Sequence, residues 1–164
     1  PADFMLIATM NPCPCGYAGD PTHPCTCTST QINNYQRKIS GPLLDRIDIF
    51  IEVPRVENEK ILINPQTSTT SVVKNKILDT IKRQKDRKKS TNYFNSSLSN
   101  SEIANLKISN MAHNILTQAS NTLSLSARSY LKTLKVAQTI ADFEGSATIQ
   151  ASHVTEALSY RKKF

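Results

Sequence analysis

The rhythm of apolar and polar positions changes about a third of the way along this chain. Phe4-Met5-Leu6-Ile7-Ala8 is a short unbroken apolar run, closed by Asn11-Pro12. A run of that length ending in a turn signal predicts a buried strand over 4–10. A second strand signal covers 47–53, where Ile47, Ile49, Ile51 and Val53 alternate with Asp48, Phe50 and Glu52 before Pro54. Phe50 leaves both faces largely apolar, as in a sheet covered on two sides. Between the two, 29–39 reads as a short polar helix, which Ser40-Gly41-Pro42 ends, and 43–46 reads as one helical turn.

Beyond Pro54 only helical spacing recurs. Residues 56–70 are polar, contain Pro65 and read as a linker. Val72, Val73, Ile77, Leu78 and Ile81 then follow the 3-4 spacing of a helix. A polar loop over 90–97 leads to Leu98-Ser99-Asn100-Ser101-Glu102-Ile103. There Ser99 and Glu102 match a capping box, and Leu98 and Ile103 match a hydrophobic staple. A helix over 109–123 carries Met111, Ile115, Leu116 and Ala119. The next begins near Ser126 and runs to Glu144, with Tyr130, Leu131, Leu134, Ala137, Ile140 and Ala141 facing inward and Gly145 suited to its C-terminal cap. A last short helix carries Val154, Ala157 and Leu158.

The expected fold is therefore mainly α. Residues 1–55 hold two strands and a cysteine-rich loop, too little to close a sheet core. Residues 56–70 link them to a helical bundle over 71–164 that can bury its own core. Composition adds limits. The chain has 164 residues, no Trp and 6% aromatics, so the core is aliphatic. No run approaches the ~20 apolar residues of a membrane span. No basic stretch followed by an apolar one marks a signal peptide, so the expected location is cytoplasmic. Pro1 stands immediately before a strand-like run, with no start methionine, so the chain reads as a piece of a larger protein.

The net charge of +7 is concentrated. Lys74, Lys76, Lys82, Arg83, Lys85, Arg87, Lys88 and Lys89 face only Asp79 and Asp86 in the same stretch, and Arg161, Lys162 and Lys163 lie near the end. Such a run favours a polyanion partner, with Lys82, Arg83, Lys85, Arg87, Lys88 and Lys89 as the candidate nucleic-acid contacts; a solvated helix face is the competing role.

Three constellations carry chemistry. The first is Asn11 to Thr28, which holds all four cysteines as two Cys-x-Cys pairs, Cys13 and Cys15, then Cys25 and Cys27. Four thiolates can close a tetrahedral Zn²⁺ site, and a site with four sulfur ligands has no open position for catalysis. His23 is an alternative ligand. Disulfides or free thiols would fit the same residues, although disulfides call for an oxidising compartment. The second is Gly41-Pro42-Leu43-Leu44-Asp45-Arg46-Ile47-Asp48. It holds Arg46 between a turn and a strand start, where a planar guanidinium suits a phosphate or carboxylate. A pair with Asp45 or Asp48 is the alternative. The third is Leu125-Ser126-Ala127-Arg128, which puts Arg128 in the first turn of a helix, where free N–H groups also attract anions. An ordinary surface arginine is the alternative there.

Four segments in this order, PADFMLIATMNPCPCGYAGDP, SGPLLDRIDIFIEVPR, LSLSARSYLKTLKVAQTIADFEGS and HVTEALSYR, resemble the C-terminal part of the magnesium-chelatase-like AAA+ ATPases of the ComM/YifB group. The resemblance implies that residues 1–55 are the C-terminal portion of the AAA+ α/β core and that 71–164 are its helical lid. It implies that Asn11 is sensor 1, Arg46 the arginine finger that reaches a neighbouring subunit's ATP, and Arg128 the sensor 2 arginine. It makes the cysteine loop a metal-binding insertion. It also implies ATP and Mg²⁺ as cofactors, a hexameric ring of like subunits, and a DNA-remodelling or branch-migration activity. No GxxxxGK[ST] phosphate loop occurs in the 164 residues. The partner that holds it is expected to be the N-terminal part of the same protein, and this chain alone is expected not to hydrolyse ATP. Two other readings stay open: a zinc-stabilised nucleic-acid-binding module without motor activity, and a subunit of a metal chelatase.

Overall fold

The computed structural model describes residues 4–54, 68–88 and 93–161. Its helices are α1 (Ser29–Gln36), α2 (Gly41–Leu44), α3 (Ser68–Lys88), α4 (Asn100–Ala104), α5 (Asn110–Thr122), α6 (Ala127–Glu144) and α7 (Ala151–Ser159), with a 3₁₀ turn over Asn95–Ser97. The architecture is mainly helical, and α3 begins inside the stretch expected to be linker.

Local signals set most of the helix ends. Ser99 accepts from the Glu102 amide and Glu102 bonds back to the Ser99 N–H, the reciprocal cap expected from the sequence. Ser109 and Ser126 cap α5 and α6 by accepting from the amides of Ala112 and Ser129. Gly145 ends α6 at φ +78°, a left-handed conformation that glycine adopts without strain. A Cβ there would also lie 3.2 Å from the Arg83 guanidinium. Thr28 and Gln31 make a further capping box at α1, a Thr-x-x-Gln signal readable in the sequence.

Helix α6 is the hub. It packs on α7, α3, α4 and the 3₁₀ turn, while α5 packs on α7. Leu134, Ala137 and Ala141 of α6 join Leu116, Ala112, Ile149, Val154 and Ala157 in one buried cluster. Leu98 and Ile103 of the staple are buried in the same cluster. Met111, expected inward, is exposed. Ile108 and Ile149 form an isolated parallel bridge that joins the chain before α5 to the chain before α7.

The apolar spacing of α3 finds the helix but not the face that packs. Val72, Val73, Ile77 and Leu78 are exposed, whereas Thr80 and Gln84 are buried. The buried side of α3 meets a polar network centred on Asp142 of α6, which is 2% exposed. Asp142 accepts from Asn95 Nδ2 at 2.8 Å and from Gln138 Nε2 at 2.9 Å, and pairs with Arg87. Arg83 donates to the Asp142 carbonyl at 2.7 Å, and Gln84 accepts from the Asn95 amide at 3.1 Å. A buried carboxylate is tolerated because these donors replace the water it has lost.

The two expected strands do not form. Phe4, Met5, Leu6 and Ile7 are 62–84% exposed, and neither 4–10 nor 47–53 enters a strand ladder among the described residues. A strand is stable only when a neighbour satisfies its N–H and C=O groups and covers its face. The pattern encodes a strand, and nothing within the described residues supplies the neighbour.

Candidate functional site

The cysteine loop brings the four sulfurs together. The Sγ atoms of Cys13, Cys15, Cys25 and Cys27 all lie within 4.8 Å of one another. Cys13 and Cys15 are 3.3 Å apart, Cys15 and Cys25 3.5 Å, and Cys13 and Cys25 3.7 Å. A tetrahedral Zn²⁺ with bonds of about 2.3 Å needs sulfurs ~3.8 Å apart. All four cysteines are free, so the disulfide alternative is not what forms.

Backbone turns build this cluster. The Gly16 amide donates to Cys13 O at 3.0 Å and the Ala18 amide to Cys13 Sγ at 3.3 Å, with Gly16 at φ +86°. Asp20 shapes the return leg: one carboxylate oxygen accepts from Thr22 N and Thr22 Oγ1 at 2.7 Å each and from His23 N at 3.1 Å. These Thr22 bonds, with a smaller contribution from His23, lower the Asp20 pKa. The Asp-Pro-Thr-His run was the available signal for this turn, since Asp side chains close such turns on their own backbone. His23 lies outside the sulfur group. Its Nδ1 is 2.9 Å from Thr22 Oγ1, and its ring stacks on Tyr17.

The electrostatics of the four thiols fit a cation site. The Tyr17 backbone bond, opposed by desolvation and helped by the Cys13 thiol, draws Cys15 down to about 5. Cys25 receives a lowering bond from the Cys27 backbone, but desolvation and the Cys15 and Cys13 sulfurs outweigh it and push Cys25 up to about 12. Cys27 is raised in the same way, against a lowering bond from the Cys15 backbone. Thiolates this close cannot all ionise without a positive charge among them, and a divalent cation would supply it. Donor type, number and spacing thus suit a structural Zn²⁺.

Asn11 is exposed at the entry to this loop, with Nδ2 4.0 Å from where a Cβ on Gly16 would sit. Gln36 Nε2 of α1 donates to Pro12 O at 3.1 Å, which ties α1 to the same entry.

Arg46 is exposed just after α2, with its guanidinium donating to Pro42 O at 2.7 Å. The pairing with Asp48 considered above is not made. Asp48 pairs instead with Lys132 of α6 at 3.1 Å. Arg128 is exposed in the first turn of α6 and makes no hydrogen bond or ion pair among the described residues. Both arginines thus present charge to solvent.

The basic helix divides. Lys82 is exposed and Lys85 partly so. Arg83 and Arg87 are engaged by Asp142, and Lys88 pairs with Glu102 while lying over the Tyr93 ring. Lys89, with Lys162 and Lys163, is outside the described residues. No single-residue signal in the sequence pointed to Asp142 as the partner of Arg83 and Arg87.

Comparison with known proteins adds the family. The model described as "Magnesium chelatase, subunit ChlI C-terminal" matches residues 67–161, and that of "Magnesium chelatase, subunit ChlI" matches 1–61. The chain belongs to the magnesium chelatase ChlI C-terminal family. It is 39% identical to the competence protein ComM of Haemophilus influenzae over 98% of its own length. It is 36% identical to YifB of Escherichia coli and 30% identical to a Mycobacterium tuberculosis protein over a similar share. The chain spans only 31% of the ComM and YifB sequences. No helix among the described residues is long and apolar enough to cross a membrane.

Proposed function

We propose that this chain is the C-terminal part of a ring-forming AAA+ ATPase that remodels DNA. The observation that carries the reading is the pair of exposed arginines, Arg46 and Arg128, within a chain of the magnesium chelatase family. In that role residues 4–10 and 47–53 are strands of an α/β core whose remaining strands lie outside this chain, which accounts for their exposed apolar side chains. Asn11, at the end of the first, orients the attacking water. Arg46 reaches the ATP of the next subunit and stabilises charge that develops on the transferred phosphoryl group. Arg128, at the N-terminus of α6, meets the phosphates of its own subunit's ATP. Mg²⁺ bound with the nucleotide would neutralise phosphate charge. Cys13, Cys15, Cys25 and Cys27 would hold Zn²⁺, which fixes the loop that leaves Asn11 and takes no part in the chemistry.

DNA is the proposed partner because of the +7 net charge and the kinship with a competence protein. With Arg83 and Arg87 engaged by Asp142 and Lys88 paired with Glu102, Lys82 and Lys85 of α3 are the contacts that we retain, together with Lys89, which lies outside the described residues. In a longer protein that carries this chain together with a phosphate loop, Arg46→Ala is expected to lower the ATPase kcat about 10³-fold. Undiminished turnover in that variant contradicts the assignment of Arg46. A zinc-stabilised DNA-binding module without motor activity is the second reading, supported by the sulfur geometry. Salt-dependent DNA binding by this chain, combined with unchanged ATP turnover in the Arg46 variant, would favour it.

A further inference from the structure

The segment that carries Arg46 is attached to the bundle by a lysine. Lys132 Nζ donates to Asp45 O at 2.8 Å and to Ile47 O at 2.9 Å, and it pairs with Asp48 Oδ1 at 3.1 Å. An ammonium has three N–H donors, and here three acceptors flank Arg46 on both sides. The Lys132 side chain is only 19% exposed, so these bonds are partly shielded from water. A second anchor follows, where the Phe50 amide donates to Tyr160 O at 2.7 Å. Lys132 stands one helical turn after Arg128 on α6, so the latch and Arg128 share a rigid element.

We propose that Lys132 is a positioning residue that holds Arg46 in fixed relation to Arg128, so that the two arginines move as one body with α6. The proposal rests on the reading of Arg46 as a trans-acting arginine. Without the latch, 45–50 would be held only at its ends, by α2 before it and by the Phe50 anchor, since no sheet holds it among the described residues. An arginine that acts on a transition state must be held closely, and a displacement of about 1 Å can cost ~10²-fold in rate. Physical coupling between two sites needs an element that both engage, and α6 with Lys132 is such an element.

The test uses the longer ATP-hydrolysing protein with K132M, K132R, R46A and the K132M/R46A pair. Methionine keeps the length of Lys132 and removes its donors. Amide hydrogen exchange over 45–50 should become at least about tenfold faster in K132M, while α5 and α7 keep their protection. The kcat should fall up to about 10²-fold with little change in KM, K132R should recover part of it, and K132M should add no further loss on top of R46A. Unchanged exchange over 45–50 overturns the proposal, as does faster exchange throughout the bundle. Faster local exchange with full turnover also overturns it, as does a loss that adds to that of R46A. Full turnover in R46A overturns the reading of Arg46 itself and the positioning role with it, a result distinct from failure of Lys132 alone.

Discussion

Phe4 to Ile7 and the positions Leu116, Ile149 and Val154 are equally apolar, yet the first group is 62–84% exposed and the second is fully buried. The difference lies in what each stretch needs. A helix satisfies its own backbone, so α5, α6 and α7 need only one another's apolar stripes to close a core. A strand makes all its ladder hydrogen bonds with a neighbour, so the same apolar content over 4–10 yields no element by itself. The described part of the first region is held by the sulfur cluster, by caps, by Lys132 and by the Phe50 amide bond to Tyr160 O rather than by a buried apolar core.

The largest expected effect falls on the bundle. Asp142→Ala removes a buried acceptor and leaves the Arg87 guanidinium and the Asn95 and Gln138 amides without it. Urea denaturation should show a loss of about 3–5 kcal/mol, as for the removal of one partner from a buried pair. A loss within experimental error would mean that α3 is not held to α6 through this network. Metal removal should act on the other region. Chelation, or Cys13→Ser, should abolish zinc binding and open 11–38 to proteolysis, with little movement of the urea transition of the bundle. One zinc per chain before chelation and none after it is the expected content. A bundle that melts with the metal would erase the contrast between the two regions.

The smallest effect concerns pH. The Lys88 ammonium, followed by the bonds to Ser99, lowers the Glu102 pKa from 4.5 to about 2. A depressed folded-state pKa gives stability that is present above the unfolded value and is lost as pH falls through the folded one. Stability measured between pH 4.5 and 2 should therefore decline, and Glu102→Gln should flatten that decline. An acid limb with the same slope in both proteins would show that the cap contributes nothing through its charge.

Much of the bundle was legible because its signals are local. Ser99 with Glu102, Ser126 with Ser129, and Gly145 each act within one helical turn of their own position. The four cysteines were legible as a cluster that could hold a metal, because ligand type and pairing travel with the sequence. The packed face of α3 was not, since Arg83 and Arg87 find their acceptors 59 and 55 residues away, on the backbone carbonyl and the carboxylate of Asp142, which only folding brings near. Lys132 was invisible for the same reason, lying 85 and 87 residues from the carbonyls it grips. Asp20 was legible in the Asp-Pro-Thr-His run, because the turn it closes lies within three residues of its own position.

The central role proposed for this chain is that of Arg46 acting in another subunit. Two variants of the longer protein decide it: Arg46→Ala, and one disabled in the phosphate loop but carrying Arg46. Each should be inactive alone. ATP turnover should return when the two are mixed, because some interfaces then combine an intact phosphate loop with an intact Arg46 from its neighbour. No recovery on mixing, in rings shown to have exchanged subunits, would contradict the trans-acting role.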